Sequence, residues 1–447
     1  MKPLVIQRVC RLKGKACLPG DKSIAHRALF ISAISRGPTV INNFPDNQDC
    51  LATVDALRKL GIEIKPKKSD IVVYGKGLWG LTKPKSPIFI NASGTTFRLL
   101  LGLLAGQDFK ATLSAGKSLS KRPMLRVTVP LRKMGAKIIA KKSIIHHPSS
   151  TIHQEEYPPV TISGGNLRGI SYKMPVASAQ VKSALLLAGL YAKGITKIIE
   201  PILTRDHTER MLKAFGAEIN SRGGGISVKG NKQLRSPKKI YLSGDISSAG
   251  FFMVAAAIVP GSRVVIKKVS LNPSRIGIIR VLKRMGARIK ISNYQLPVTS
   301  YEPSGDILVK FSKLRGTKVS KAEIPSLIDE LPVLMVAASL AKGKSVFESV
   351  AELRVKETDR VKSMVENLRN MGADIQVAGF GSVEKVVVRG VSSLSGAKLK
   401  SFGDHRTAMS LVVAGLAAQG KSTIDDTSCI AKSFPEFLAI LNTLTLT

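Results

Sequence analysis

Six short polar segments of this chain carry side chains suited to holding anions. They are GDKS from Gly20, NASGTT from Asn91, ASAQVKS from Ala177, SGDISS from Ser243, SLIDE from Ser326 and FGDHR from Phe402. Charged residues accompany them: Lys22 and Arg27 at the first, Arg98 at the second, Lys182 at the third, Asp329 and Glu330 at the fifth, and Asp404, His405 and Arg406 at the sixth. Ser, Asp and Asn ahead of an apolar run are helix-capping residues, and a helix N-terminus presents unpaired N–H donors in a positive field. Six such ends gathered on one side, with Lys and Arg among them, would bind phosphates and carboxylates.

The elements that must position these segments repeat along the chain. One unit reads LRKLGIEI (Leu57 to Ile64), LRKMGAKI (Leu131 to Ile138), LKAFGAEI (Leu212 to Ile219), LKRMGARI (Leu282 to Ile289) and LRNMGADI (Leu368 to Ile375). In each copy two apolar residues three apart end a helical stripe, glycine stands where a left-handed cap is needed, and alternation after it begins a strand. A second pattern ends a more apolar helix at Gly37, Gly106, Gly194, Gly261, Gly343 and Gly420. The spacing gives six repeats of roughly 75 residues, each with an apolar helix that must be buried, an amphipathic helix that faces solvent, and several strands.

Composition narrows the class. The 69 Lys and Arg against 30 Asp and Glu leave a net charge of +39, and 44% of residues are hydrophobic but only 5% aromatic, so the core must be aliphatic. Disordered, fibrous and membrane-spanning classes are excluded, the last because no apolar run reaches about 18 residues. The charge suits nucleic acid, an acidic membrane or small polyanions. Its dispersal along the chain, without interleaved aromatics, favours a lysine-rich solvated surface over a nucleic-acid patch. Cys10, Cys17, Cys50 and Cys429 show no disulfide or zinc spacing and are expected to be buried thiols in a reducing compartment. The N-terminal stretch lacks a signal-peptide apolar region, which points to the cytoplasm.

Taken together, LPGDKSIAHR (Leu18 to Arg27), ASGTTFRLL (Ala92 to Leu100), KRPM (Lys121 to Met124), ASAQVKSALLLAGL (Ala177 to Leu190), TRDHTERML (Thr204 to Leu212), IDELP (Ile328 to Pro332), LRVKETDR (Leu353 to Arg360), GDHR (Gly403 to Arg406) and AKSFPEF (Ala431 to Phe437) resemble the EPSP synthase family, the 3-phosphoshikimate 1-carboxyvinyltransferases of aromatic amino-acid and chorismate biosynthesis. Ala92 and the Thr204-Arg205-Asp206 stretch are similar to the family's second, divergent class. The resemblance implies a two-domain inside-out α/β barrel of six βαβαββ repeats, three per domain, with the active site in the interdomain cleft. One domain would hold residues 1–20 plus 244–447 and the other 21–243.

The implied reaction moves the enolpyruvyl group of phosphoenolpyruvate to the 5-hydroxyl of shikimate 3-phosphate, releasing phosphate. Those substrates together carry about six negative charges at neutral pH. By the resemblance, Lys22, Gly94, Arg122, Gln180, Arg360, Arg406 and Lys432 bind phosphoenolpyruvate. Lys22, Ser23, Arg27, Ser178, Ala179, Gln180, Arg205, Asp329 and Lys356 bind shikimate 3-phosphate. Asp329 is the expected base for the 5-hydroxyl, and Glu357 with Lys22 serves the methylene carbon. Lys356 and Arg360, four apart, are expected to share a helix face. Family members with Ala in place of Gly94 exclude the longer inhibitor glyphosate, so Gly94 implies a sensitive enzyme.

No cofactor is implied, and His146, His147 and His153 lack ligand spacing for a metal. The expected partners are the two small substrates, with no nucleic acid and no membrane, acting on a monomer. Two rivals share related folds. The transferase acting on UDP-N-acetylglucosamine carries a reactive Cys before its Arg-Pro, which Ala115 to Pro123 lacks. An RNA 3′-phosphate cyclase needs a nucleotidylated His near its C-terminus, whereas the last His here is His405.

Overall fold

The computed structural model describes residues 3–67, 70–146, 152–221, 225–296 and 301–445. The chain divides into two compact units: a terminal unit of Met1–Asp21, Ser243–Pro297 and Glu302–Thr447, and an inserted unit of Lys22–Leu242 with Val298–Tyr301. Each has its own aliphatic core. At the passage from one to the other, Gly20 and Gly244 form an antiparallel bridge and the Asp21 N–H donates to the Ser243 carbonyl at 2.8 Å.

The inserted unit contains helices α1 (Lys22–Ala33), α2 (Gln48–Lys59), α3 (Gly94–Ala105), α4 (Leu125–Lys133), α5 (Ala179–Gly189) and α6 (His207–Ala214). The terminal unit contains α7 (Ile246–Ile258), α8 (Gly277–Arg284), α9 (Leu331–Ser339), α10 (Arg360–Asn370), α11 (His405–Ala417) and α12 (Phe437–Thr445). Odd and even members behave differently, as the repeats require. Every residue of α7 and α9 is buried, and α3 exposes only part of Thr95. The even helices are one-sided: α2 buries Cys50, Thr53, Val54, Ala56 and Leu57, a single stripe at helical spacing.

Sheets cover these buried helices. In the inserted unit Arg36–Asn42 pairs antiparallel with Asp70–Lys76, which pairs antiparallel with Glu63–Lys67. Lys239–Tyr241, from the end of the unit, lies parallel to the free edge of Arg36–Asn42 and closes the cycle. The same order recurs in the sheet of Ile88–Ile90, Lys110–Ala115, Ile152–Ser163 and Lys137–His146, and in that of Ser171–Lys173, Ile195–Ile199, Ile226–Lys229 and Ile219–Asn220. The terminal unit repeats it twice more, with Lys13–Cys17 lying parallel to Arg263–Ser270 and Lys318–Val319 to Lys344–Phe347. Its third sheet has three strands, Leu4–Gln7, Lys421–Ile424 and Lys398–Leu399. Helices inside and sheets outside make this the inside-out α/β arrangement.

The repeated glycines are conformational requirements. Gly61, Gly135, Gly216, Gly286 and Gly372 all have positive φ, and at Gly372, where φ is 86° and a Cβ would meet nothing within 4 Å, the backbone alone favours glycine over residues with a side chain. Gly102 answers a different need: a Cβ there would lie 2.2 Å from the Ala184 carbonyl oxygen, so α3 and α5 approach backbone to backbone. The thiols depart from expectation. All four are free, but only Cys50 and Cys429 are buried: Cys17 is exposed because it takes the outward position next to inward Ala16, and Cys10 is exposed at a bend between strands. Among the described residues, no helix is long and apolar enough to cross a membrane. His147 lies outside the described residues.

Candidate active site

In the inserted unit three helix N-termini bring the expected anion ligands to defined partners. α3 is capped by the Ser93 hydroxyl, which accepts from the Thr96 N–H at 3.2 Å, and α5 by Ser178, which accepts from the Val181 N–H at 3.4 Å. Ala179 is thus the first residue of α5, with its N–H at the positive end of the helix. Lys22 opens α1 and pairs with Asp49 at 2.8 Å, both side chains 16% exposed. Ser23 accepts from Arg205 Nη1 at 3.0 Å. Arg27 is buried and donates to Thr208 Oγ1 at 2.7 Å, Ser183 Oγ at 2.8 Å and the Ser23 carbonyl at 2.8 Å.

A second group surrounds Gly94. The Gln180 side-chain Oε1 accepts from Arg98 Nη1 at 2.6 Å, and its Nε2 donates to Thr95 Oγ1 at 2.9 Å. A Cβ on Gly94 would lie 2.7 Å from Arg122 Nη1 and 3.0 Å from Arg98 Nη1, so two guanidinium groups crowd onto this helix start. The sequence reading placed Arg98 beside the second segment but gave it no role. The structure makes it the residue that orients Gln180 and, through Nη2 at 2.9 Å, the Pro123 carbonyl next to Arg122.

The terminal unit gathers the acid–base candidates around one buried cation. Arg360 is 1% exposed. Its Nε donates to Asp404 Oδ2 at 2.9 Å, its Nη1 lies 3.5 Å from Asp329 Oδ1, and its Nη2 pairs with Glu357. Arg406 Nη1 donates to the Asp329 carbonyl at 2.9 Å, with its Nε 3.8 Å from Asp329 Oδ1. Burial works against the charged form of Asp404, yet Arg360 and His405 hold its carboxyl below the ordinary range. Burial likewise lowers the pKa of Lys356, with Asp329 opposing it. Lys432 donates to the Gly403 carbonyl at 3.0 Å.

The helical register expected for Lys356 and Arg360 is not found. Asp359 caps α10 by accepting from the Lys362 N–H at 2.9 Å, so the helix starts at Arg360 and Lys356 and Glu357 precede it. Glu357 still reaches Arg360, three residues on, from outside the helix.

Behind this group the terminal unit buries a further ionic set. Arg275 Nη2 donates to Ser247 Oγ at 2.6 Å and lies 3.5 Å from Glu330, and Asp245 caps α7 by accepting from the Ser247 N–H at 2.8 Å. Desolvation and the nearby Asp21 push the Asp245 carboxyl up to about 6, against the pull of Arg275 and Arg406. A carboxyl with a raised folded pKa favours the fold when protonated; that contribution is complete below about pH 4 and lost as pH rises through about 6. Asp245→Asn fixes the neutral form. Its stability relative to wild type should therefore rise between pH 4 and pH 7.5 in urea unfolding. A difference that stays constant with pH would show that Asp245 does not titrate in this window.

Cations and polar side chains gathered at helix starts, and three carboxylates on one guanidinium, are parts for reactions of phosphorylated acids. The sequence model of the family described as EPSP synthase (3-phosphoshikimate 1-carboxyvinyltransferase) matches residues 6–441. The chain belongs to the EPSP synthase family. The 3-phosphoshikimate 1-carboxyvinyltransferase of Desulforamulus reducens is 46% identical over 98% of both chains, and that of Geobacter sp. (strain M21) is 46% identical over 99% of both. An EPSP synthase structure from Acinetobacter baumannii, 41% identical, covers 100% of this chain and 99% of its own with a TM-score of 0.84. The enolpyruvyl transferase NikO from Streptomyces tendae shares the fold at 18% identity, with a TM-score of 0.76 over 99% of this chain and 97% of its own. Membership in the EPSP synthase family makes the chain a transferase of the shikimate pathway and sets aside the UDP-N-acetylglucosamine and RNA-cyclase readings.

Proposed function

We propose that this chain transfers the enolpyruvyl group of phosphoenolpyruvate to the 5-hydroxyl of shikimate 3-phosphate as a cytoplasmic monomer, with Asp329 and Glu357 handling the protons. The observation that carries the reading is the pair of partly exposed carboxylates on the buried Arg360, 16% and 25% exposed against 1%. Addition forms the carbon–oxygen bond between the 5-hydroxyl and the central carbon of phosphoenolpyruvate. The hydroxyl proton leaves to Asp329, and a proton from Glu357, assisted by Lys22, enters the methylene carbon. Elimination then breaks the carbon–oxygen bond to phosphate as the new methyl group gives a proton back.

In this reading Ser23, Arg27, Ser178, Ala179, Gln180, Arg205, Asp329 and Lys356 hold shikimate 3-phosphate, with Lys22 between the reactants. Gly94, Arg122, Gln180, Arg360, Arg406 and Lys432 hold phosphoenolpyruvate. Bidentate guanidinium groups suit its carboxylate and phosphate. Phosphate release with both substrates together, and with each alone, tests the function. Release only with both is the expected result, and release from phosphoenolpyruvate alone would overturn the transfer reading.

Gly94 supports glyphosate as a competitor for phosphoenolpyruvate. A methyl group there must displace the flexible Arg122 guanidinium, which stands 2.7 Å from the Cβ position. Gly94→Ala should raise the inhibitory concentration of glyphosate roughly tenfold or more at matched phosphoenolpyruvate saturation, and the Michaelis constant for phosphoenolpyruvate much less, because the longer molecule loses more. Equal shifts would show that Gly94 does not discriminate between them.

A further inference from the structure

Lys182 is a buried cation that the transfer chemistry does not use. It lies in α5, 1% exposed, and its ammonium meets three oxygens: Glu200 at 2.9 Å, Glu209 at 2.6 Å and the Thr204 carbonyl at 3.3 Å. The contacts to Glu200 and to the Thr204 carbonyl are hydrogen bonds, and Glu209 adds an ion pair. The other Glu200 oxygen accepts from the Thr204 N–H at 3.2 Å and from the Thr204 hydroxyl. Thr204 is therefore tied at its N–H, its carbonyl and its side chain. The residues from Glu200 to Asp206 form neither helix nor strand, so side chains must set their path.

The two ends of this network are next in sequence to site residues. Thr204 precedes Arg205, which donates to Ser23. Glu209 follows Thr208, which accepts from Arg27 and shares a hydrogen bond of 2.7 Å with Ser183, the neighbour of Lys182. Burying one cation between two carboxylates carries a desolvation penalty that an apolar cluster of the same size would avoid. What it supplies instead is a fixed geometry.

We propose that Lys182 is a positioning residue for the shikimate 3-phosphate site, holding the Glu200–Asp206 segment and the start of α6 so that Arg205 and Thr208 keep Ser23 and Arg27 in place. This rests on the reading that Ser23, Arg27 and Arg205 take that substrate. Lys182 touches no reacting atom, and its effect passes through Arg205 and Thr208.

The test is a double-mutant cycle in the full-length protein, with shikimate 3-phosphate affinity measured by equilibrium titration. Lys182→Met should weaken that affinity by roughly thirtyfold and change the Michaelis constant for phosphoenolpyruvate less than threefold. The double variant with Arg205→Ala should be no more than threefold weaker than Arg205→Ala alone. Independent, multiplying losses would overturn the proposal, as would unchanged affinity in Lys182→Met. If Lys182→Met does not fold, Thr204→Val keeps the charges, removes one tether, and should show about a tenfold loss with the same non-additivity. Hydrogen exchange of the amides of residues 202–206 needs no substrate and should be at least tenfold faster in the variant; unchanged protection would also overturn the proposal. Wild type that binds no shikimate 3-phosphate, but shows the exchange difference, would sink the functional reading and leave the tether standing.

Discussion

Asp329→Asn will lower kcat by roughly two to four orders of magnitude, the range for losing a general base, and will change the Michaelis constants far less. Asn keeps the shape of the side chain and cannot take the hydroxyl proton. The backbone at this position does not depend on the carboxylate, because the Asp329 carbonyl is held by Arg406 Nη1 at 2.9 Å. The carboxylate itself is 16% exposed, with Arg360 at 3.5 Å and Arg406 at 3.8 Å, so it keeps an accessible side while charged neighbours fix its orientation. Steady-state phosphate release at saturating substrates measures the effect. A variant within tenfold of wild type in kcat would remove Asp329 from the role of base.

Arg360→Met should damage the fold as well as the reaction. The guanidinium is the common partner of Asp404, Asp329 and Glu357, and the side chains of Arg360 and Asp404 are 1% and 0% exposed. Removing the cation leaves the Asp404 carboxylate buried with the Thr358 hydroxyl, the N-terminal N–H groups of α11 and the neighbouring His405. Breaking a buried pair in this way typically costs about 3–5 kcal/mol. Because Arg360 helps to hold the folded pKa of Asp404 below its ordinary value, the wild type keeps this stabilisation above the unfolded pKa and loses it as pH falls through the depressed one. The variant should begin to unfold at higher pH. Urea unfolding at pH 7 and an acid titration check both parts, and a loss under about 1 kcal/mol would show that the three acids do not depend on this cation.

The repeats were legible because each rests on a local rule. A glycine at positive φ after a helix, an apolar run long enough for three turns, and a Ser or Asp cap are each written within a few residues, and Gly372, α7 and Ser93 follow them. Contacts across the chain were not legible. Thr208 and Ser183 lie 181 and 156 residues from Arg27, and no spacing rule joins them to it. Asp49 sits in the first turn of an ordinary amphipathic helix, where an acid is expected for the helix dipole alone, so its pairing with Lys22 had no separate signal. Arg98 was visible as a cation in the second segment, but its direction depends on Gln180, which α5 supplies. At Lys356 the local rule fails: the i, i+4 spacing presumes a helix already begun, and the Asp359 cap starts it only at Arg360. Residue type alone predicts burial for Cys17, where strand alternation decides, and for Cys10, which stands at a bend outside any strand.

The pairing of Lys13–Cys17 with Arg263–Ser270 also sets a timetable for synthesis. The Leu12 N–H donates to Ser262 Oγ across 250 residues of chain, and Leu4–Gln7 waits longer still for Lys421–Ile424. At about 5–20 residues per second, Lys13–Cys17 remains without its partner for roughly 12–50 seconds after it is made. The Lys22–Leu242 part of the inserted unit is translated in that interval, and its closing strand, Lys239–Tyr241, emerges before Arg263 does. That unit can complete its fold first. The waiting strand, KGKAC, has exposed Lys13 and Lys15 on either side of Gly14 and only Ala16 turned inward. Charges along an unpaired edge oppose pairing with another chain, so this short stretch is guarded against aggregation while its partner is still to be translated.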